Sequence, residues 1–129
     1  MRSLFWLSIF AASALIVPLH AAPMPLEGNW SGTGILQPAE GAAEKVACRI
    51  NYKRETDKVF RVEAKCATTS HTINQTGQLL MVNTGVYVGE FYIASYDIAG
   101  RIRVVIEGEE QTMTFKSSRG EGQLTLKKV

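Results

Sequence analysis

From Lys45 onward the chain alternates polar and apolar side chains, and that period of two fixes what it can fold into. Val46, Cys48, Ile50 and Tyr52 alternate with Lys45, Arg49, Asn51 and Lys53. After Glu55-Thr56-Asp57-Lys58, which reads as a turn, Phe60, Val62, Ala64 and Cys66 alternate with Arg61, Glu63 and Lys65. A strand sends successive side chains to opposite faces, so each run has one apolar and one polar face. Two runs of matching length joined by a short turn predict an antiparallel β-hairpin with both cysteines on its apolar face.

The pattern extends along the chain. Trp30, Gly32, Gly34 and Leu36 hold alternate positions of a first strand, Ile73 marks a short fourth strand, and Leu79 to Val82 a fifth. Val86 to Ala94 is rich in aromatic and β-branched residues, and Ile102, Val104 and Ile106 alternate with Arg101, Arg103 and Glu107. Met113 and Phe115 follow, then Leu124 and Leu126. Breaks at Gly77, Gly85, Gly100, Gly108 and Gly120 divide the chain into eight or nine strands. Strands at this spacing predict an all-β sandwich or closed barrel. Glycines inside strands (Gly32, Gly34, Gly89) indicate tight coiling and favour a single small antiparallel β-barrel.

Residues 1–21 have a different character. Arg2 is the only charge ahead of the apolar run Leu4 to Val17, Pro18 breaks it, and Leu19-His20-Ala21 supplies a small residue for cleavage. This is the layout of a secretory signal peptide, with a run too short to span a bilayer well. The expected organisation is a signal peptide over 1–21, a flexible lead-in over 22–26 and a β-barrel domain over 27–129. Localisation is then periplasmic or secreted, with no transmembrane span in the mature form. Removing residues 1–21 takes away one charge, leaving a net charge near +1. Such a balance argues against a nucleic-acid binder, which would be strongly basic.

Cys48 and Cys66 are the only cysteines, and in an exported chain an even pair reads as a disulfide. A thiolate metal site lacks partners, since His71 is the only histidine after residue 21 and structural zinc usually takes four Cys/His ligands. Setting Cys48 opposite Cys66 sets Ile50 opposite Ala64 and Tyr52 opposite Val62. A slip by two would pair Arg49 with Glu63, but an exposed ion pair is worth at most about 1 kcal/mol. A crosslink over this loop is worth roughly 3 kcal/mol, so the crosslinked register is expected to win.

Gly28-Asn29-Trp30 resembles the start of calycin-type barrels, lipocalins included, where Gly-x-Trp on the first strand packs the indole across one barrel end. That resemblance implies that Trp30 closes the barrel. The fuller pattern Trp30-x-Gly32-x-Gly34, Cys48-Arg49-x-x-Tyr52 and Cys66-Ala67 is similar to small exported alphaproteobacterial proteins of unknown activity. A fainter likeness is to the alkaline proteinase inhibitor family, small periplasmic barrels with a Trp-bearing first strand and one disulfide. It assigns no inhibitory residues, because the inhibitors' N-terminal trunk has no counterpart here beyond Ala22 to Leu26.

Chemistry-bearing residues are sparse. Ser70 and His71 are adjacent, and neighbours on a strand point to opposite faces, so they form no nucleophile–base pair without a turn. Asp57 falls in a turn, and Glu107, Glu109 and Glu110 around Gly108 read as a charged hairpin tip. No phosphate loop, metal spacing or nucleophile elbow is present. No catalytic residue, metal or cofactor is expected. Of the clustered aromatics, Tyr87 and Phe91 share one face and Tyr92 and Tyr96 the other, so one pair lines the core.

On the polar face of the hairpin, the crosslinked register sets Arg49 opposite Lys65 and Lys53 opposite Arg61, with Lys45 nearby. Opposed like charges destabilise a sheet, so these five residues form a candidate patch for an anionic envelope partner. The expected function is non-enzymatic binding of a protein partner, such as a hydrolase, or of a small apolar ligand. A barrel of this size is usually filled by its own side chains, which favours the protein partner. The alternative is a structural or stress-related envelope protein without a dedicated ligand.

Overall fold

In the computed structural model, which describes residues 23–129, the alternating runs become eight strands whose apolar faces all turn inward. They are β1 (Gly28–Pro38), β2 (Glu44–Arg54), β3 (Val59–Ala67), β4 (Thr72–Asn83), β5 (Val86–Ile93), β6 (Ile98–Glu107), β7 (Glu110–Ser117) and β8 (Gly120–Lys128). A turn of 3₁₀ helix, Ala94–Tyr96, joins β5 to β6. Each strand pairs antiparallel with the next, and β8 returns to pair with β1, closing an eight-stranded barrel. The proposed signal peptide, and Ala22 of the lead-in, lie outside the described residues.

The β2–β3 hairpin has the crosslinked register, with Cys48 opposite Cys66, Ile50 opposite Ala64 and Tyr52 opposite Val62. A disulfide joins the two cysteines inside the barrel. Closure depends on two inward glycines of β1. A Cβ on Gly32 would stand 1.9 Å from the Thr125 carbonyl oxygen, and one on Gly34 1.8 Å from that of Gln123. Only glycine lets the two backbones approach so closely.

Two expectations about strand breaks are corrected. Ile73 and Leu79 to Val82 belong to one strand of 12 residues, not two. Gly77 stays in the ladder, opposite Val62 on one side and Phe91 on the other, so it does not end β4. Gly100, also expected as a break, lies inside β6 between Phe91 and Ser117. Residues 23–26 of the lead-in lie against the barrel. The Met24 amide donates to the Gly108 carbonyl at 3.1 Å, and Lys128 Nζ donates to the Pro25 carbonyl at 2.9 Å. Leu26 is 1% exposed, and burying a leucine contributes about 1.5–3 kcal/mol. A segment held this way does not project as a trunk.

Leu26 and Trp30 plug the end of the barrel where β1 begins, with Tyr52, Phe60, Leu79, Tyr87, Met113 and Leu126 buried with them in one core. The Phe60 and Tyr87 rings meet edge to face at 5.4 Å between centroids. Gln111 is fully buried, and its Oε1 accepts the Tyr52 hydroxyl. Desolvation pushes the Tyr52 phenol far above its usual range. No helix among the described residues is long and apolar enough to cross a membrane.

Candidate functional site

The opposite end of the barrel is open. There the inward rows of β1 to β8 run out before they meet, leaving a cavity of about 220 Å³. Leu36, Val46, Cys66, Ile73, Phe91, Ile93, Ile98 and Phe115 line it. Two glycines at inward positions near this end are each covered by an aromatic ring that lines the cavity. Phe91 lies directly opposite Gly100, and Phe115 opposite Gly122. A Cβ on Gly100 would come within 2.6 Å of the Phe91 ring, and one on Gly122 within 2.2 Å of the Phe115 ring. Each ring therefore lies across a bare stretch of wall, and the two meet edge to face at 5.9 Å. Aromatic cover of strand glycines is a recurrent way to support a curved sheet.

One polar side chain points into this apolar space. Gln75 occupies an inward position of β4, is 6% exposed and lines the cavity. Its Nε2 is buried and has no hydrogen-bond partner among the described residues. Gln111 Nε2 is also unpartnered, but that residue sits in the filled half of the barrel. Buried amide donors are normally satisfied, so each such exception calls for a cause.

The rim is polar. Glu44, Thr68, His71, Ser117 and Arg119 surround the mouth, and Tyr96 lies edge-on to His71 at 6.0 Å. Ser70 and His71 do meet, contrary to the strand-based expectation, because residues 68–71 form a tight turn. The Thr68 amide donates to the His71 carbonyl at 2.9 Å, and Thr68 Oγ1 accepts the Ser70 and His71 amides at 3.3 and 3.0 Å. Ser70 Oγ then lies 2.8 Å from His71 Nδ1 and donates to Glu44 Oε1 at 2.8 Å. The Ser70–Glu44 bond ties the turn to β2.

The remaining sequence candidates are dispersed. Trp30, 1% exposed, sits in the plug at the closed end, where its Nε1 donates to the Leu26 carbonyl at 2.8 Å. Lys45, Arg49, Lys53, Arg61 and Lys65 lie on the outward row of β2 and β3. Arg49 is opposite Lys65 and Lys53 opposite Arg61, while Lys45 pairs with Ile35 of β1. Arg61 Nε also donates to Glu55 Oε1 at 2.9 Å, which neutralises part of the strip. Tyr87 and Phe91 face the core, and Tyr92 and Tyr96 are exposed. No group of three or more His, Cys, Asp or Glu placed to hold a metal ion occurs among the described residues. The cavity itself was missed in the sequence. Its lining comes from residues of several strands, and no single run of the sequence marks it.

No protein-family model and no curated protein matches this chain. Solved structures do match. A redesigned β-barrel, mFAP1, bound to DFHBI, superposes with a TM-score of 0.69 at 13% identity, covering 80% of this chain and 94% of that one. The related redesign mFAP0, also bound to DFHBI, gives 0.67 at 13% identity over 80% and 98% of the two chains. A fluorescence-activating β-barrel designed de novo gives 0.62 at 13% identity over 80% and 93%. At this level of identity the likeness is one of fold, a small closed β-barrel.

Proposed function

We propose that this chain is an exported, non-enzymatic binding protein that takes one small, mainly apolar ligand in the open end of its barrel. The observation that carries the reading is the apolar cavity at the open end of the barrel. Eight-stranded barrels either fill with side chains or hold one small ligand, and this one is filled only at the Trp30 end. An apolar cavity of about 150 Å³ accepts benzene, so 220 Å³ suits a ring with a short substituent. A ligand of about ten heavy atoms, at roughly 0.5 kcal/mol per atom, would bind with Kd near 0.2 mM. The designed barrels bound to DFHBI are consistent with a ligand in this architecture. Export is supported by the apolar N-terminal run and by a disulfide, which persists in oxidising compartments.

Titration with toluene, followed by amide chemical shifts in a ¹H–¹⁵N spectrum, tests the reading. Saturable shifts at Ile73, Phe91, Ile98 and Phe115, abolished by Ile98→Trp, are expected. Absence of saturation, or shifts confined to exposed Leu80 and Val82 on the outer face, would overturn it. A second reading, docking of an anionic partner on β2–β3, is favoured by the two directly opposed like-charge pairs there.

A further inference from the structure

On the outer wall, apart from the cavity, we infer that Arg49 and Lys65 hold the phosphate group of a phosphomonoester; this rests on the second reading above and deepens it. The strand register sets Lys127, Ser31, Arg49, Lys65 and Asn74 in one outward row across β8, β1, β2, β3 and β4. Each of the five has a proton to donate, and none is acidic. Arg49 and Lys65 oppose each other directly, which puts their Cβ atoms about 4.5–5.5 Å apart and makes the like charges repel. Among the described residues neither belongs to an ion pair; those present are Arg54–Glu27, Arg61–Glu55 and Lys116–Glu121. The next row toward the open end carries only short, uncharged side chains: Thr125, Thr33, Ala47, Ala67 and Thr72. A surface depression lies there, lined by both cations, by Ala47 and Ala67, and by the hydroxyl residues Ser31, Thr33 and Thr72. Among the described residues no acid lines it. Glu63 lies in the row on the other side of the cations, opposite Asn51 and Thr76.

The two cations set the charge and shape of the occupant. A carboxylate brings one charge and two oxygens, which a guanidinium alone satisfies as a bidentate pair. The ammonium would then stay unmatched. A phosphomonoester brings a charge of about −1.5 to −2 at neutral pH and three acceptor oxygens. These suffice for the Arg49 fork, the Lys65 point charge and one hydroxyl together. Because Ala47 and Ala67 are short, the group has room beside the long cationic side chains, and its charge removes their mutual repulsion. The other opposed pair, Lys53 and Arg61, offers no equivalent. Glu55 already accepts from Arg61 Nε, and the depression that Arg61 lines also carries Glu63 and Glu90.

Methyl phosphate, acetate and polyglutamate, each titrated into the full chain at constant ionic strength with amide shifts as readout, decide the matter. Methyl phosphate should give saturable shifts at Ser31, Thr33, Ala47, Arg49, Lys65 and Ala67 and bind more tightly than acetate. Arg49→Gln and Lys65→Gln, each shown to be folded by thermal melts, should weaken it about tenfold, the yield of one charged hydrogen bond. Lys116→Gln, which removes an exposed cation on β7, should leave it unchanged. Vesicles of phosphatidylcholine with and without phosphatidic acid identify the source. Cosedimentation only with phosphatidic acid assigns a lipid headgroup, and no cosedimentation assigns a soluble phosphomonoester. Acetate binding as tight as that of methyl phosphate overturns the phosphomonoester class, and so does a response to polyglutamate without one to methyl phosphate; either leaves β2–β3 an anion-docking face. Unchanged methyl phosphate binding in both Gln variants overturns the assignment to Arg49 and Lys65. No response at these amides to any of the three probes removes the second reading and this inference together.

Discussion

Replacing Tyr52 by Phe deletes one hydroxyl from the closed half of the barrel, and the consequence should change sign with pH. At neutral pH the loss strands Gln111 Oε1, whose donor is the Tyr52 hydroxyl, in a residue with no exposed surface. Turning the amide over gives no relief, because Gln111 Nε2 already lacks a partner. Stranding a buried acceptor costs about 1–3 kcal/mol, so Tyr52→Phe should be less stable than wild type by that amount at pH 7. In alkali the balance moves the other way. Burial holds the folded phenol well above its usual range, whereas an unfolded tyrosine releases its proton near pH 10. Above that pH the folded state binds more protons than the unfolded state, so the wild type loses roughly 1–2 kcal/mol of stability per pH unit through this residue. Phenylalanine has no proton to lose. Lysines and the other tyrosines titrate in both proteins and cancel in the difference. Urea denaturation at pH 7, 9, 10, 11 and 11.5 should therefore give stability curves that run parallel to about pH 9, converge above about pH 10 and cross roughly one to two units higher. Curves that stay parallel throughout would refute the buried, proton-retaining hydroxyl on which this reasoning depends.

Trp30→Ala should cost about 3–5 kcal/mol. In protein lacking residues 1–21, Trp30 is the only tryptophan, so native emission should be blue-shifted and move red on unfolding; emission near that of free tryptophan would contradict its burial. Reduction of the Cys48–Cys66 bond, which spans a sequence separation of 18, should lower stability by about 3 kcal/mol in denaturant titrations; equal midpoints for oxidised and reduced protein would contradict this. Arg49→Glu converts a like-charge pair with Lys65 into an attractive one and should raise stability by about 0.2–1 kcal/mol at low salt. That gain should fade as salt screens the exposed pair, and a loss of stability instead would indicate that the outer face is not simply solvated.

The hairpin shows what can be read locally. Alternation assigns each residue of β2 and β3 to a face, and two cysteines on the same face leave one register that brings the thiols together. That register, Cys48 to Cys66, is the one found. The turn at residues 68–71 shows the opposite case. Adjacent Ser70 and His71 point apart on any strand, yet Thr68 Oγ1 gathers two backbone amides and folds them together. A side chain capping its own turn competes with the strand ladder, and residue spacing alone does not say which prevails.

By itself, then, the sequence determined the all-β class, the inward and outward faces, the disulfide and the approximate strand list, because each is a period-two or near-neighbour property. Only the tertiary structure decided that β8 meets β1, that Pro23–Leu26 lie across one end, and that Gln75 lines a cavity at the other. The physical reason is that alternation says which side of the wall a residue occupies but not its height along the barrel. Height depends on the stagger of all eight strands at once, and it is height that stacks the aromatics into a plug around Trp30 and brings Leu36, Ile73, Ile98 and Phe115 together around a cavity.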